Sequence, residues 1–356
     1  MVYIHASLNF GGGVGAVATQ LAKQQLKRGN KVYILARESD SGVKTSADKI
    51  EVIRLKDKKG FIPKIVKGYN LKKEYNKIKK KHPTEKAVLV CHCIGIAGLF
   101  GSIPKQTIIV LHGHINSNGV ISKVLYKLLF RRYRKNNFVA CSKECAEYYS
   151  DYLNVNSRVI LNGATCTGVK TEYFPNKKEF IVGMISNLDE HKGFKYFLEA
   201  ATVLCKKYNF IKFYIAGKNS ENFDFESFIL NNKLNDSFKY LGEVEDAANT
   251  LLPKIDLLVL PSVMEGLPMS LIEAQFYGIP ILATEVGGIP ELLTDGYNGY
   301  FIKRDGADIA GKIELCLSLP QYEILSKNSL ILASDKFSSE RMYEEYEELT
   351  ENVIDC

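Results

Sequence analysis

The sequence predicts an α/β chain made of two doubly wound parallel-sheet domains in succession. Three observations lead there. Short apolar strand runs alternate with stretches of helical apolar spacing along the whole chain. That pattern breaks near Tyr173-Phe-Pro175 and then restarts. The length, 356 residues, exceeds what one ordinary core uses and suits two. Hydrophobic residues at 46% and charged residues at 24% are those of a folded globular chain, which excludes disorder. The expected domains are residues 1–170 and 171–336, with a closing helix over 337–356.

The elements follow in order. Val2 to Ala6 reads as a strand, a glycine-rich loop follows, and Val17 to Arg28 has helical spacing with Gly29 as its stop. Strands are then expected at Lys31–Ala36, Ile50–Leu55, Ala87–Cys91, Thr107–Leu111, Asn137–Ala140 and Arg158–Leu161. After the break come strands at Phe180–Ile185 and Lys212–Ala216, with a helix over Phe194–Tyr208 between them. A helix near Asp224–Asn231 and strands at Phe238–Leu241 and Leu257–Leu260 lead to a helix over Pro268–Tyr277, closed by Gly278 and Pro280. Ile281–Ala283 and Tyr300–Ile302 are the last strands, followed by helices from about Ala307 and over Ser338–Val353. Doubly wound sheets bind ligands beyond the carboxyl ends of their strands, in this case at a cleft expected between the domains.

Charge and cysteine usage narrow the setting. Residues 1–170 carry 30 Lys and Arg against 10 Asp and Glu, a balance of +20, while the remainder carries −13. Two basic runs, Lys56–Lys81 and Lys123–Lys135, supply much of the excess, and the second carries an apolar stripe beside its arginines. Such a segment suits an anionic membrane surface, or a solvated face on its own sheet. No nucleic-acid-binding motif accompanies it, so nucleic acid is not expected. Eight irregularly spaced cysteines, with no leader-like start, point to a cytoplasmic chain. Cys91 and Cys93 flank His92, but no second ligand cluster makes this a metal site, and no D-x-D pair appears.

Four stretches carry candidate chemistry. In Leu257 to Ala283 a strand enters a loop with Glu265, and a helix follows with Glu273. A carboxylate there can accept hydrogen bonds from sugar hydroxyls, or merely satisfy the helix dipole. Asn187-Leu-Asp-Glu-His-Lys192-Gly193 is the loop after the first strand of the second domain and places a lysine just before a helix start. His112 ends the strand Ile108–Leu111, with His114 two residues on. Gly11, Gly13 and Ala16 satisfy G-x-G-x-x-A, with Glu38 spaced for a nicotinamide ribose, so an NAD(P)-dependent dehydrogenase is the rival reading. Against it, Ser7–Phe10 separate the strand from the glycines, whereas that fingerprint turns directly off the strand end.

Taken together these motifs resemble the retaining glycosyltransferases of family four, which have the GT-B fold. The resemblance runs from Gly11-Gly12-Gly13 through Asn162-Gly163, His191-Lys192-Gly193 and the paired Glu265 and Glu273. It continues through Gly287-Gly288-Ile-Pro-Glu291 to Phe337-Ser-Ser-Glu-Arg341. It implies transfer of a sugar, with retention, from a nucleoside-diphosphate donor to a glycan or lipid-linked acceptor, as in capsule, O-antigen or exopolysaccharide synthesis. UDP is the favoured nucleotide, with GDP and ADP open, and no metal cofactor is implied. His112, Lys192 and Glu265 take the catalytic roles. The donor set is Gly12, Gly13, Asn187, Lys192, Gly217, Glu265, Gly266, Leu267 and Glu273. In the family an arginine stands where this chain has Asn187, which removes a bidentate cation and leaves Lys218 as a candidate substitute. A non-catalytic glycan- or lipid-binding relative is therefore a second alternative, and an epimerase of the same fold a third.

Overall fold

The computed structural model describes residues 1–7, 10–37, 50–55, 63–99, 103–115, 127–128, 130–133, 136–167 and 178–355. Glu38, the break at Tyr173–Pro175, Lys56 to residue 62 and most of Lys123–Lys135 lie outside them. Two compact units emerge: Met1–Gly163 with Ser339–Cys356, and Ala164–Ser338.

The first unit is a seven-stranded sheet in the order β3-β2-β1-β4-β5-β6-β7, parallel throughout. Its strands are β1 (Val2–Ala6), β2 (Lys31–Arg37), β3 (Glu51–Leu55), β4 (Ala87–Cys91), β5 (Thr107–Leu111), β6 (Asn137–Ala140) and β7 (Arg158–Val159). β1, β4 and β5 are buried at every residue, as parallel strands covered on both faces must be. The helix Gly12–Lys27 buries Val17, Ala18, Leu21 and Ala22, a stripe at helical spacing, and Gly29 at φ 81° lets the chain turn out of it. It begins five residues earlier than Val17. The glycines therefore open the helix itself instead of forming a loop before it: Gly11 is its cap, and Gly12 and Gly13 are its first exposed residues.

The last helix, Ser339–Asp355, belongs to this unit and lies along Gly12–Lys27. Gln24 Nε2 donates to Ser339 Oγ at 2.7 Å, Lys27 pairs with Glu340 at 2.9 Å, and Met342 and Tyr343 are fully buried. Arg341 donates to the Leu161 carbonyl oxygen, and the Gly163 amide meets Met342 Sδ at 3.2 Å. The Arg341 and Gly163 motif positions therefore serve to fasten the chain's end to the first sheet.

The second unit is a six-stranded parallel sheet in the order β10-β9-β8-β11-β12-β13. The strands are β8 (Phe180–Ile185), β9 (Ile211–Ala216), β10 (Phe238–Tyr240), β11 (Leu257–Leu260), β12 (Ile281–Ala283) and β13 (Gly299–Phe301). Counted within the unit, this is the 3-2-1-4-5-6 order, whose switch point falls between β8 and β11. Helices over Phe194–Lys207, Phe225–Asn232, Met269–Gln275, Gly306–Cys316 and Leu319–Lys336 cover it. Asp224 and Asp305 cap two of them by accepting from Ser227 N and Asp308 N, each worth about 1 kcal/mol. The helix Leu319–Lys336 was not anticipated. Its apolar and polar residues are mixed around the circumference, with Ile324 and Ile331 about half exposed, so its sequence shows no clean stripe. No helix among the described residues is long and apolar enough to cross a membrane.

Candidate active site

In the second unit the turns after β8 and β12 are tied to the loop that follows β11, Pro261–Leu267. β11 is wholly buried and delivers Pro261 and Ser262, also buried, to the top of the sheet. Two neighbouring turns pin the loop. The Val263 amide donates to the His191 carbonyl oxygen at 2.7 Å, and the Gly288 amide donates to that of Gly266 at 2.8 Å. Both contacts require glycine. A Cβ on Gly193, at φ 70°, would stand 2.1 Å from the Pro261 oxygen, and one on Gly287, at φ 56°, 1.8 Å from the Glu265 oxygen.

These constraints bring Lys192 and Glu265 together across 73 residues of chain. Lys192 Nζ donates to Glu265 Oε1 at 2.6 Å, and Ser262 Oγ donates to the same oxygen at 2.6 Å. Ser262 is held in turn by Thr284, whose hydroxyl donates to the Ser262 carbonyl oxygen at 2.6 Å. Asp189 orients Lys192 by accepting from its backbone amide. The Glu265 side chain is 7% exposed and that of Lys192 26%, so the carboxylate is enclosed while the ammonium reaches the surface. A buried carboxylate needs such partners. The lysine has three N–H groups and spends one on Glu265, leaving two to turn outward.

The other donor residues predicted in this unit lie on the loops after β8, β9 and β11 and on the helix that follows the last of these. Gly266 and Leu267 continue the loop, with Leu267 buried. Gly217 ends β9, with its Cα packed so closely on the Ser186 carbonyl that a side chain cannot enter. Asn187 is exposed, one residue before Leu188, whose amide donates to the Lys218 carbonyl oxygen at 2.8 Å. Lys218, also exposed, therefore lies on the turn tied to the Asn187 turn. Glu273 is on the helix Met269–Gln275, and burial beside the Asp246 carboxylate pushes its pKa up to about 8.

The first unit builds a different edge. His112 follows β5 directly, and its Nε2 lies 2.9 Å from Nδ1 of His92, the residue after β4. His92 Nε2 lies 3.0 Å from Nδ1 of His5 in β1, and His5 Nε2 lies 2.8 Å from Gln25 Oε1 on the helix Gly12–Lys27. The three rings stack at centroid separations of 5.3 and 5.2 Å, with Phe10 edge-on to His92. His5 and His92 are completely buried, and His112 is half-buried at the edge. Burial lowers His5 and His112 to about 4 and His92 further, because its neighbours oppose a second charge. All three rings are neutral at pH 7.

Reading the sequence found His112 but missed His5, His92 as its partner, Gln25 and Ser262. A signal existed. In a doubly wound sheet the first, fourth and fifth strands are neighbours, and each of these three carries a histidine at its carboxyl end. Cys91 and His92 are buried, and Cys93 is half-buried at φ 134°. His114 stacks on Tyr148 with Nε2 2.6 Å from Glu144 Oε1. Among the described residues no group of His, Cys, Asp and Glu stands together as a metal site.

Two family models match, and between them they take in both sheets: Glycosyltransferase Family 4 over residues 11–167 and Glycosyl transferases group 1 over 169–330. The dehydrogenase reading is left without support. One curated relative is the N,N'-diacetylbacillosaminyl-diphospho-undecaprenol alpha-1,3-N-acetylgalactosaminyltransferase of Campylobacter jejuni. It is 29% identical over 64% of this chain and 64% of its own length, so the match spans just under two thirds of that relative. The N-acetyl-alpha-D-glucosaminyl L-malate synthase of Bacillus anthracis is 26% identical over 76% of this chain and 68% of its own. Among solved structures, Anabaena Alr3699/HepE in complex with UDP and glucose aligns with a TM-score of 0.81 at 18% identity, covering 99% of this chain and 100% of that one. Sucrose-phosphate synthase from Thermosynechococcus elongatus aligns with a TM-score of 0.78 at 17% identity over 99% of each. At such identities the structures speak for the fold, which is GT-B, and the family models for descent: the chain belongs to the family-four glycosyltransferases.

Proposed function

We propose that this protein transfers a sugar from a nucleoside-diphosphate donor, preferably UDP-linked, to a glycan or lipid-linked acceptor, with retention at the anomeric carbon. The observation that carries this reading is the Lys192–Glu265–Ser262 cluster, pinned at the carboxyl edge of the second sheet with Glu273 on the next helix. Each member has a task. Lys192 turns its two remaining N–H groups to the diphosphate and stabilises it as it leaves, and Gly12 and Gly13 let backbone approach closely. Glu265, with the backbone of Gly266 and Leu267, holds the transferred sugar, and Glu273 accepts from the ribose hydroxyls. Asn187 and Gly217 line the donor, and Lys218 contributes the second cation that the asparagine cannot. His112 meets the transferred sugar as a neutral ring, which places no positive charge against the one developing at the anomeric carbon. The acceptor hydroxyl attacks from the face the diphosphate leaves, and the leaving phosphate takes its proton. No step in this scheme calls on a metal ion.

Support for donor and acceptor class comes from named relatives. HepE binds UDP and glucose, and the Campylobacter enzyme acts on a diphospho-undecaprenol-linked acceptor. A Staphylococcus aureus relative, CapM, serves capsular polysaccharide biosynthesis. Bacterial surface-polysaccharide synthesis at the cytoplasmic face of a membrane is the setting this suggests, with the basic first half as the peripheral contact. Co-sedimentation with anionic but not neutral liposomes checks that contact, and binding indifferent to lipid charge would refute it.

The donor is tested by thermal shift against UDP, GDP, ADP, their common sugar conjugates, NAD and NADP. A ligand that binds only the folded state raises its melting temperature by mass action. The expected result is a rise with one nucleoside diphosphate and its conjugate, unaffected by chelator. A rise with NAD or NADP alone, or with none of the panel, would overturn the reading.

A further inference from the structure

Burying a histidine leaves two ring nitrogens to satisfy, and the first unit buries His5 and His92 completely and satisfies them by aligning them with His112 and Gln25 in a single file. Apolar side chains would fill that space without the desolvation cost that polar rings carry. The file has a direction. A neutral imidazole has one N–H and one bare nitrogen, and the Gln25 carbonyl oxygen can only accept. His5 Nε2 must therefore carry hydrogen, which leaves its Nδ1 bare to accept from His92 Nε2–H. His92 Nδ1 is then bare and accepts from His112 Nε2–H. Every inward nitrogen is thereby assigned, and one atom is left at the outer end.

We infer that Gln25, His5 and His92 are positioning residues that fix His112 in its Nε2–H tautomer and present its Nδ1 as a hydrogen-bond acceptor at the carboxyl edge of the first sheet. The matching ligand chemistry is a hydroxyl donor, and on the reading above that hydroxyl belongs to the transferred sugar; this last step rests on that reading. The line crosses β1, β4 and β5, and the switch point of the sheet lies between the first two. Gln25, on the covering helix, thus sets the outer atom through two intervening rings. The low proton affinity of all three rings agrees with a chain that stays neutral and keeps its direction.

The tautomers can be read without any substrate. The chain has six histidines, so two-bond nitrogen–proton correlation spectra of ¹⁵N-histidine-labelled full-length protein at pH 7.5 can be assigned by single substitution. Expected are three neutral rings protonated at Nε2: His5, His92 and His112. Gln25→Leu should convert His112 to a mixture of tautomers although the two residues do not touch. His92→Phe keeps a ring in the stack and cuts the file; His5 should keep its Nε2–H while His112 becomes mixed. Hydrogen on Nδ1 of His112 in the unsubstituted protein would overturn the assignment. So would a His112 pattern unchanged in both variants, since a purely structural role would alter melting and leave the tautomer alone. If His92→Phe fails to fold, Gln25→Leu decides. Loss of nucleoside-diphosphate binding would sink the transferase reading and leave these spectra as they are.

Discussion

The two sheets carry polar groups to their carboxyl ends by opposite means. The first edge is a line of neutral rings, each satisfied by the next, with the charged form suppressed by burial. At the second, a charge is met by a charge: Glu265 is enclosed, and the Lys192 ammonium and the Ser262 hydroxyl converge on one of its oxygens. A neutral file offers direction, because tautomers propagate along it. An ion pair offers field, because its lysine keeps N–H groups for a second anion.

The sharpest way to break this comparison is with pH, because the two edges respond with opposite sign. In the first unit His5 and His112 fall from 6.5 to about 4 on folding. The unfolded chain binds more protons, so the stability they contribute is full above 6.5 and is lost as pH falls toward 4, on the order of 3 kcal/mol per ring. The rings are faced by each other, by Gln25 and by the edge of Phe10, so among the described residues no carboxylate offsets the loss. In the second unit Glu273 rises from 4.5 to about 8. The folded state binds the extra proton, so the stability from this group is full below 4.5 and is lost as pH climbs through 8. Amide hydrogen exchange by mass spectrometry reads the two units separately. Acidification from pH 6.5 to 4.5 should weaken protection in β1, β4 and β5. Alkalinisation from pH 6 to 8.5 should weaken it around the helix Met269–Gln275. Parallel responses in the two units would refute the contrast.

How much of this was legible beforehand follows the same division. The alternation of strand and helix was readable because parallel strands buried on both faces, such as Val2–Ala6 and Leu257–Leu260, are continuous apolar runs. The charged edge was legible through the resemblance: on spacing alone Glu265 and Glu273 serve a helix dipole equally well, and the motif letters singled them out together with Lys192. The neutral edge was not. His5 looks like one polar residue in an apolar strand, and Gln25 like one of three glutamines on a helix; only the fold makes them neighbours across 20 and 87 residues. The start of the first helix was misplaced for a similar reason. Glycine disfavours a helix interior, but Gly12 and Gly13 occupy its exposed opening turn, where that cost is small. Gly193 and Gly287 were readable as motif letters only; that each makes room for a carbonyl of the Glu265 loop is a fact of packing.

Smaller in effect, and aimed at the charged edge alone, is a pair of substitutions that should part rate from affinity. Lys192→Met keeps the length and apolar stem of the side chain and removes the ammonium. On the proposed roles, transfer should slow about 10²–10³-fold, the usual loss when one preorganised donor is removed from a developing charge. Glu265, 7% exposed, should also lose part of its stabilisation, although Ser262 still donates to it, so melting should fall as well. Glu273→Gln keeps the shape and one acceptor oxygen and removes the titration. Nucleoside-diphosphate affinity should weaken about five-fold, the worth of roughly one hydrogen bond to a carboxyl that is neutral below pH 8, with kcat little changed. The pH dependence of exchange around Met269–Gln275 should vanish with it. Steady-state kinetics with the donor found by thermal shift, together with calorimetric binding of its nucleoside diphosphate, separates the two. If Lys192→Met weakened binding while leaving kcat intact, the lysine would serve ground-state affinity, and the acceleration assigned to it would have to come from the Lys218 turn beside Asn187.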